Sequence, residues 1–265
     1  MKKMLLALAA VAAFTGSASA ADLPRPYVKA PPPPVPVASW TGCYLGGGGG
    51  YGMWNQENTE FDDVRNAPAR TQLGNFTTAG GRGYFGTVQG GCDYQFGLGA
   101  QQFVIGGFAD YDFADIHGNH QPPGINSFAN EKLSGQWAVG GRVGWLVFPQ
   151  LLTYFSAGYT EAKFDRQDFT GIPLGFGPAG IYEASRTYKG WFLGAGDEYA
   201  INFLPGLFWK TEYRVAQFDR QANPFFITGT TTPTGLSEDS KKWVQTVRSE
   251  LVYRFNWGGP VVAKY

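Results

Sequence analysis

The chain has 265 residues, of which 38 are glycine, 16% are aromatic and 16% are charged. Glycine and aromatic residues at this density, with few long charged side chains, disfavour a helical protein and favour strands joined by tight turns. Basic and acidic residues balance at 21 each, so the charge gives no electrostatic basis for binding nucleic acid. The composition predicts an all-β class.

The first 20 residues have the three parts of a secretory signal peptide. A basic start at Lys2 and Lys3 precedes an apolar run over 4–14, and small residues at 18–20 form a cleavage site. The run has about 11 residues, which is too short to span a bilayer and disfavours an uncleaved anchor. We predict export with cleavage after Ala20, which leaves 19 basic and 21 acidic residues and a net charge of −2.

Residues 21–38 contain seven prolines, four of them consecutive at 31–34. This composition favours an extended polyproline II segment with a rise of about 3.1 Å per residue. We predict a Pro-rich periplasmic linker here, followed by one domain over 39–265. The alternative is a docking segment for the cell wall or another periplasmic partner.

From Trp40 onward, eight segments show the alternation of apolar and polar residues that is typical of strands. The segments are residues 40–54, 82–96, 101–113, 134–147, 151–164, 186–201, 207–219 and 242–256. Short links alternate with longer polar stretches at about 55–81, 114–133, 165–185 and 220–241. This layout predicts an eight-stranded antiparallel up-and-down transmembrane β-barrel with short periplasmic turns and four long external loops.

Charged residues of both signs fall on the strand parity opposite the aromatic residues. They are Asp110, Asp112, Arg142, Glu198, Lys210, Glu212, Arg214, Arg248, Glu250 and Arg254. Eight strands leave an interior only wide enough for side chains to fill, so these residues are predicted to pair into a network that fills the lumen. The alternative is a thin water path, lined by the same residues, that passes ions or very small solutes.

Four segments resemble the alphaproteobacterial outer-membrane β-barrel proteins, a family often labelled porin-family or outer-membrane immunogenic protein. They are the stretches at 40–46, 190–199, 211–214 and 253–265, which begin Trp-Thr-Gly-Cys, Gly-Trp-Phe-Leu, Thr-Glu-Tyr-Arg and Tyr-Arg-Phe-Asn. The resemblance implies a small eight-stranded barrel in the cell outer membrane with antigenic surface loops, and it implies no enzymatic activity. We expect no cofactor and no metal. One departure is Asp197, a charge on the apolar parity, which we predict to lie near the periplasmic rim, where it costs least.

These features predict a structural and surface-interaction role. The expected partners are outer-membrane lipid and lipopolysaccharide, the barrel-assembly machinery during export, and the cell wall through the linker. A narrow porin-like diffusion channel is one alternative, and a soluble lipocalin-like periplasmic binding protein is another. The lipocalin alternative requires an apolar interior and a polar exterior, opposite to the pattern of the clearest strands.

The two cysteines, Cys43 and Cys92, share the apolar parity near the periplasmic ends of neighbouring predicted strands. They are candidates for a cross-strand disulfide if their Cα atoms lie within about 7 Å of each other. The alternative is that they are two small apolar residues at different heights in the barrel.

Two other motifs suggest chemistry but fit simpler interpretations. Asp115, His117 and His120 lie close together in sequence, but no further Cys or His supports a metal site, so we predict a solvated loop. The glycines at 46–50 lack the Gly-Lys-Ser/Thr of a phosphate-binding loop and are explained by bending and close packing of a narrow barrel.

Aromatic residues near strand ends are predicted to form two girdles at the membrane interfaces. They are Trp40, Trp54, Tyr94, Phe148, Trp209, Phe255 and Trp257. The ending Tyr253-Arg-Phe255 resembles the C-terminal signal read by the barrel-assembly machinery. That signal normally has a glycine where Glu250 stands, and the chain continues to Tyr265, so either Phe255 or Tyr265 could be the aromatic that is read.

Overall fold

Eleven strands and their connections account for the described chain. The computed structural model describes residues 39–64, 67–122, 127–171 and 178–255. The strands are β1 (Gly42–Asp62), β2 (Thr71–Leu98), β3 (Gln101–His120), β4 (Ser127–Phe148), β5 (Leu151–Phe164), β6 (Gln167–Gly171), β7 (Pro178–Glu183), β8 (Arg186–Ala200), β9 (Leu207–Phe218), β10 (Gln221–Ile227) and β11 (Pro233–Phe255). Within these residues, no helix has the length and apolar character needed to cross a bilayer. The predicted signal peptide, the Pro-rich linker and Trp257 lie outside the described residues.

Eight of the strands close into an antiparallel barrel in the order β1-β2-β3-β4-β5-β8-β9-β11. The ring closes where β1 pairs with β11, with Cys43 opposite Phe255 and Tyr51 opposite Val247. Neighbours in the ring follow one another along the chain, apart from the short strands β6, β7 and β10. The all-β, eight-stranded, up-and-down prediction is therefore confirmed.

The strand register fixes the tilt of the barrel. A path of directly paired residues that leaves β3 at Gly107 returns to β3 at His117, ten residues further along. The path runs through Gly107, Gly141, Ala157, Leu193, Val215, Gln245, Met53, Arg82 and His117. A shear of ten with eight strands corresponds to a strand tilt of about 40° and to a lumen that side chains can fill.

The barrel wall continues well beyond the length that a membrane requires. A spanning strand needs about 9–11 residues, whereas β2 has 28 and β11 has 23. After short breaks, β5 continues as β6, β9 continues as β10, and β7 leads into β8. The short strands pair with one another and with β4 and β11, and so they extend the ring.

Much of the sequence predicted to be long external loops is therefore strand. The sequence pattern does not reveal these strand extensions, because polar residues occupy both of their faces. Hydrophobic periodicity carries no signal there, even though the backbone keeps the period of a strand.

The outward face carries an apolar band and the inward face is charged. Aromatic rings meet at the external edge of the band, with centroids 5.1 Å apart for Tyr51 and Tyr84 and 5.6 Å apart for Trp137 and Tyr159. All ten predicted lumen charges are buried. The lipocalin-like alternative is wrong, because it requires the opposite distribution of polarity.

Trp40 and Trp54 were predicted to lie in the girdles, and that prediction is wrong. Both are fully enclosed inside the barrel. Trp54 has the inward parity of β1. Trp40 precedes β1 and packs against Phe208 with ring centroids 4.8 Å apart, and its indole N–H donates to the carbonyl of Pro149 at 3.3 Å. Trp40 therefore closes the periplasmic end of the lumen.

The glycine run at 46–50 is explained by close packing of the barrel wall. A Cβ atom added at Gly50 would collide with the carbonyl oxygen of Val247 and with the ring of Phe85, and one at Gly48 would collide with the backbone of Ser249. Neighbouring strands and inward-facing aromatic rings therefore leave no room for a side chain at these two positions. The run is structural and does not form a phosphate-binding loop.

Candidate functional site: the charged lumen and the outer face

The end of the lumen next to Trp40 holds four fully buried charges, which we call the periplasmic cluster: Asp93, Arg142, Glu198 and Arg254. Arg142 donates to both carboxylates, with 2.8 Å to Glu198 and a shorter contact to Asp93. Arg254 donates to Asp93 and to Glu198, each at 2.7 Å. Two arginines and two carboxylates thus form a closed, balanced set.

Aromatic rings enclose the periplasmic cluster. The guanidinium of Arg254 lies 5.2 Å from the ring centroid of Trp40 and 4.9 Å from that of Phe208, and Arg142 lies over Tyr44 and Tyr154. Arg254 also donates to the backbone carbonyl of Trp40 at 3.1 Å. Planar guanidinium groups stack on rings and bond to carboxylates at the same time, which suits arginine to this narrow space.

The remaining seven predicted lumen residues form a second group, the central cluster: Asp110, Asp112, Lys210, Glu212, Arg214, Arg248 and Glu250. Arg214 contacts Asp110 at 2.9 Å and Glu212 at 2.8 Å, and Arg248 contacts Asp112 at 2.9 Å. Lys210 lies between Glu212 and Glu250, at 3.5 and 3.6 Å. Together, the periplasmic and central clusters hold six carboxylates and five cations, close to neutrality.

Asp93 was not among the predicted lumen residues, although its strand parity indicates that it faces inward. Cys92 was placed on the outward parity of its strand, so its neighbour Asp93 had to face inward with Gln89. In the structure Asp93 is the carboxylate that joins Arg142 to Arg254, and Gln89 accepts a hydrogen bond from Lys210 at 2.8 Å.

A third group, the external cluster, lies in the barrel extension and was also missed, because its sequence was predicted to be loop. Its members are Glu60, His120, Glu131, Glu183, Glu238 and Lys242, all buried. An apolar layer that includes Trp54, Phe164 and Tyr188 separates it from the central cluster. The amine of Lys242 lies 4.3 Å from the ring centroid of Phe164 and donates to Glu131 at 2.5 Å.

The surroundings of His120 favour the doubly protonated form of its ring. One ring nitrogen contacts the Glu238 carboxylate at 2.8 Å, and the other contacts the amide oxygen of Gln167 at 3.0 Å, so both nitrogens face acceptors. Burial lowers the pKa of His120, but the charge of Glu238 and its hydrogen bond outweigh burial, and the pKa is raised to about 10. Burial, together with Glu238, raises the pKa of Glu60 to about 8.

Raising the pH from about 6 to 9 is expected to loosen the external half of the barrel. The ordinary pKa values of Glu60 and His120 are 4.5 and 6.5, and both are raised in the fold. The stability that each contributes is therefore complete below its ordinary value and is lost as the pH rises through about 8 for Glu60 and about 10 for His120. Amide hydrogen exchange of β6, β7 and β10, corrected for intrinsic rates, should show weaker protection at pH 9.

Two variants sharpen this measurement. Glu60→Gln removes the ionisation while keeping the side-chain shape, and it should reduce the change in protection between pH 6 and 9. Asp115→Asn changes an exposed outward carboxylate and should leave the pH response intact. Equal protection of the three strands at both pH values would contradict the expected coupling.

The two histidines of the chain lie on a strand, not in a solvated loop, and they face opposite sides of the barrel wall. His117 points outward, where its ring contacts Asp115 at 2.8 Å and Asn130 at 2.9 Å. His120 points into the external cluster. The barrel wall therefore prevents them from sharing a site, and no group of three or more potential metal ligands is found in the part of the chain that the structure describes.

Cys43 and Cys92 form a disulfide between directly opposed residues of β1 and β2, with a Cα–Cα distance of 3.9 Å. Both residues face outward, close to the periplasmic end of the barrel. The bond therefore ties two strands that the ladder already pairs, and it takes no part in the lumen network.

Asp197 faces outward near the periplasmic end of β8, next to Glu198 of the periplasmic cluster, and its place at the membrane rim stays a prediction. Tyr199 and Trp209 form the next outward pair on its periplasmic side. Asp197 accepts a hydrogen bond of 2.5 Å from the hydroxyl of Thr153 on the neighbouring strand.

Tyr253 and Phe255 project outward at the end of β11, with ring centroids 5.3 Å apart. Glu250, which stands where an assembly signal normally has glycine, faces inward beside Lys210. The contact with Lys210 in the lumen explains why a glutamate, and not a glycine, occupies this position. The role of Tyr253 and Phe255 as an assembly signal stays a prediction, since Tyr265 lies outside the described residues.

Comparison with known proteins gives a clear relative. The chain is 33% identical over 208 residues to the 31 kDa outer-membrane immunogenic protein of Brucella melitensis biotype 1, covering 76% of this chain and 82% of that one. The protein of the same description from Brucella suis biovar 1 gives the same values. No protein-family model matches the chain.

Several solved structures are similar at low scores. The attachment invasion locus protein Ail of Yersinia pestis gives a TM-score of 0.32 at 10% identity, covering 80% of this chain and 99% of that one. The outer-membrane protease OmpT of Escherichia coli gives 0.35 at 10% identity, covering 80% and 97%. Neisserial surface protein A gives 0.30 at 10% identity, covering 81% and 98%.

The Brucella relatives match most of both chains, and the outward apolar band of the barrel has the character expected of a surface in contact with lipid. The prediction of an outer-membrane location is confirmed. The chain belongs to the family of the outer-membrane immunogenic β-barrel proteins.

Proposed function

We propose that this protein is a non-conducting structural barrel of the outer membrane that displays its long external half at the cell surface. The observation that carries the proposal is the filled lumen, in which two clusters of paired charges and two layers of aromatic side chains follow one another. The immunogenic character stated in the name of the Brucella relatives agrees with surface display.

Large side chains fill the cross-section of the lumen at two levels. At the periplasmic end Trp40 covers Arg254 and Phe208. In the middle, Arg214 spans from Asp110 to Glu212 and lies 4.3 Å from the ring centroid of Phe192. Large side chains thus meet across the axis at both of these levels, which supports a lumen without a continuous path for hydrated ions.

The proposed absence of enzymatic activity rests on the surroundings of the two histidines. A Ser-His hydrolase needs an accessible imidazole next to a nucleophile. His120 is enclosed among carboxylates and amides, and the side-chain contacts of His117 in the described chain are Asp115 and Asn130. Neither arrangement supplies a nucleophile and a base.

Planar-bilayer recording tests the proposal. The refolded mature protein is expected to insert without producing steady unitary conductance, because no continuous aqueous path crosses the clusters. Insertion is verified by heat-modifiable gel migration of the same sample, and protein-free detergent serves as the blank. Steady, reproducible channels from verified barrels would overturn the closed lumen in favour of the narrow diffusion channel.

A further inference from the structure

An apolar groove of about 520 Å³ lies on the outward face of β3, β4, β5 and β8. Its floor includes Gly141 and Ala157, which are direct cross-strand partners. Its walls include Val143, Phe155 and Leu193, each more than half exposed. Two small residues among large ones create a depression in the lipid-facing band.

Two lysines project outward above this groove. Lys163 on β5 pairs with Thr187, and Lys189 on β8 pairs with Glu161, so the lysines are diagonal neighbours on one face. Such positions lie about 7–8 Å apart, close enough for both amines to reach one anion. Both side chains are exposed, and among the described residues neither has a carboxylate within ion-pair distance.

Aromatic side chains occupy the face between the lysines and the groove. Tyr159 and Trp191 are direct partners, and Trp137 packs against Tyr159. The carboxylate of Glu161 accepts hydrogen bonds from the hydroxyl of Tyr159 at 2.7 Å and from the indole of Trp137 at 3.3 Å. Glu161 is therefore engaged with the rings and does not form an ion pair with Lys189.

We propose that this face is a binding site for a phosphorylated, acylated lipid of the outer leaflet. The phosphate would lie between Lys163 and Lys189, and one acyl chain would pass the aromatic rings and occupy the groove over Gly141 and Ala157. A soluble anion would leave the groove without an occupant, and an uncharged lipid would leave the lysines unpaired. A lipid that carries both groups satisfies both features.

The distances fit one leaflet. Lys163 lies six residues from Ala157 along β5, about 20 Å at roughly 3.3 Å per residue. At a tilt of about 40° this separation is about 15 Å along the membrane normal. On the same measure Tyr159, at the external edge of the apolar band, lies about 10 Å below Lys163 and about 5 Å above Ala157. A lipid with its phosphate at the lysines therefore has acyl chains that begin near the aromatic rings and pass the groove.

Native mass spectrometry of the refolded mature protein tests the site. The probe is a diphosphorylated, six-chain glucosamine disaccharide lipid, added to detergent micelles and compared with its dephosphorylated form and with free glucosamine phosphate. The wild type is expected to retain one diphosphorylated lipid. Each lysine near an anionic headgroup is worth about fivefold in affinity, so Lys163→Ala with Lys189→Ala should weaken binding about 25-fold.

Two further variants separate this site from general charge attraction. Ala157→Leu fills the groove and keeps both lysines, and it should also weaken binding. Lys241→Ala removes a lysine that lies over Trp243 on β11 and should leave binding unchanged. The proposal is overturned if the dephosphorylated lipid or free glucosamine phosphate binds as tightly as the lipid, or if Lys241→Ala loses as much as the double variant. Heat-modifiable migration confirms that each variant is folded.

Discussion

Arg142→Ala is expected to lower the free energy of unfolding of the barrel by about 3–5 kcal/mol, because it leaves buried carboxylates without their partner. Arg142 is enclosed and contacts Asp93 and Glu198, and Arg254 alone cannot neutralise both. Urea unfolding in phospholipid vesicles, followed by tryptophan fluorescence and by gel migration, measures the change.

A double-mutant cycle with Asp93→Ala identifies the cause of this loss of stability. If the cost comes from an uncompensated buried charge, the double variant Asp93→Ala with Arg142→Ala loses less than the sum of the two single variants, with a coupling of about 0.5–3 kcal/mol. Arg82→Ala, an outward arginine beyond the apolar band, is the matched control and should leave stability unchanged. Strict additivity would mean that the pair is not coupled through the lumen.

Strand parity was enough to predict the membrane-level half of this fold. A period of two assigns each residue to one side of the wall, and a narrow lumen brings opposite charges together. Strand parity alone was sufficient to predict that residues such as Arg142 and Arg254 face inward. Parity does not give partners, however, because the pairing of Arg142 with Asp93 depends on the shear, which local sequence does not specify.

The external half could not be predicted in the same way. There the outward face is in water and the inward face is also polar, as in β3, where His117 and Asn119 face out and His120 faces in. Hydrophobic alternation vanishes when both environments accept polar side chains. Trp40 failed for a different reason: it precedes the first strand, and its place across the lumen is set by tertiary contacts with Pro149 and Phe208.

Trp40→Ala is expected to destabilise the barrel by about 3–5 kcal/mol, the usual cost of truncating a large buried aromatic side chain. The indole is fully enclosed, and its loss removes the ring above the Arg254 guanidinium and the hydrogen bond to Pro149. The measurement is again urea unfolding in vesicles.

The Trp40→Ala variant also tests whether Trp40 only stabilises the barrel or also blocks the passage of ions. The periplasmic and central clusters remain in place behind Trp40, so Trp40→Ala should lose stability without gaining steady conductance in planar bilayers. Trp145→Ala, which removes an outward ring on β4, should cost less than Trp40→Ala, since that ring already faces lipid. Steady channels in Trp40→Ala would show that this single ring seals an otherwise open path. The paired charges would then line a conduit, and the lumen would have to be assigned to transport.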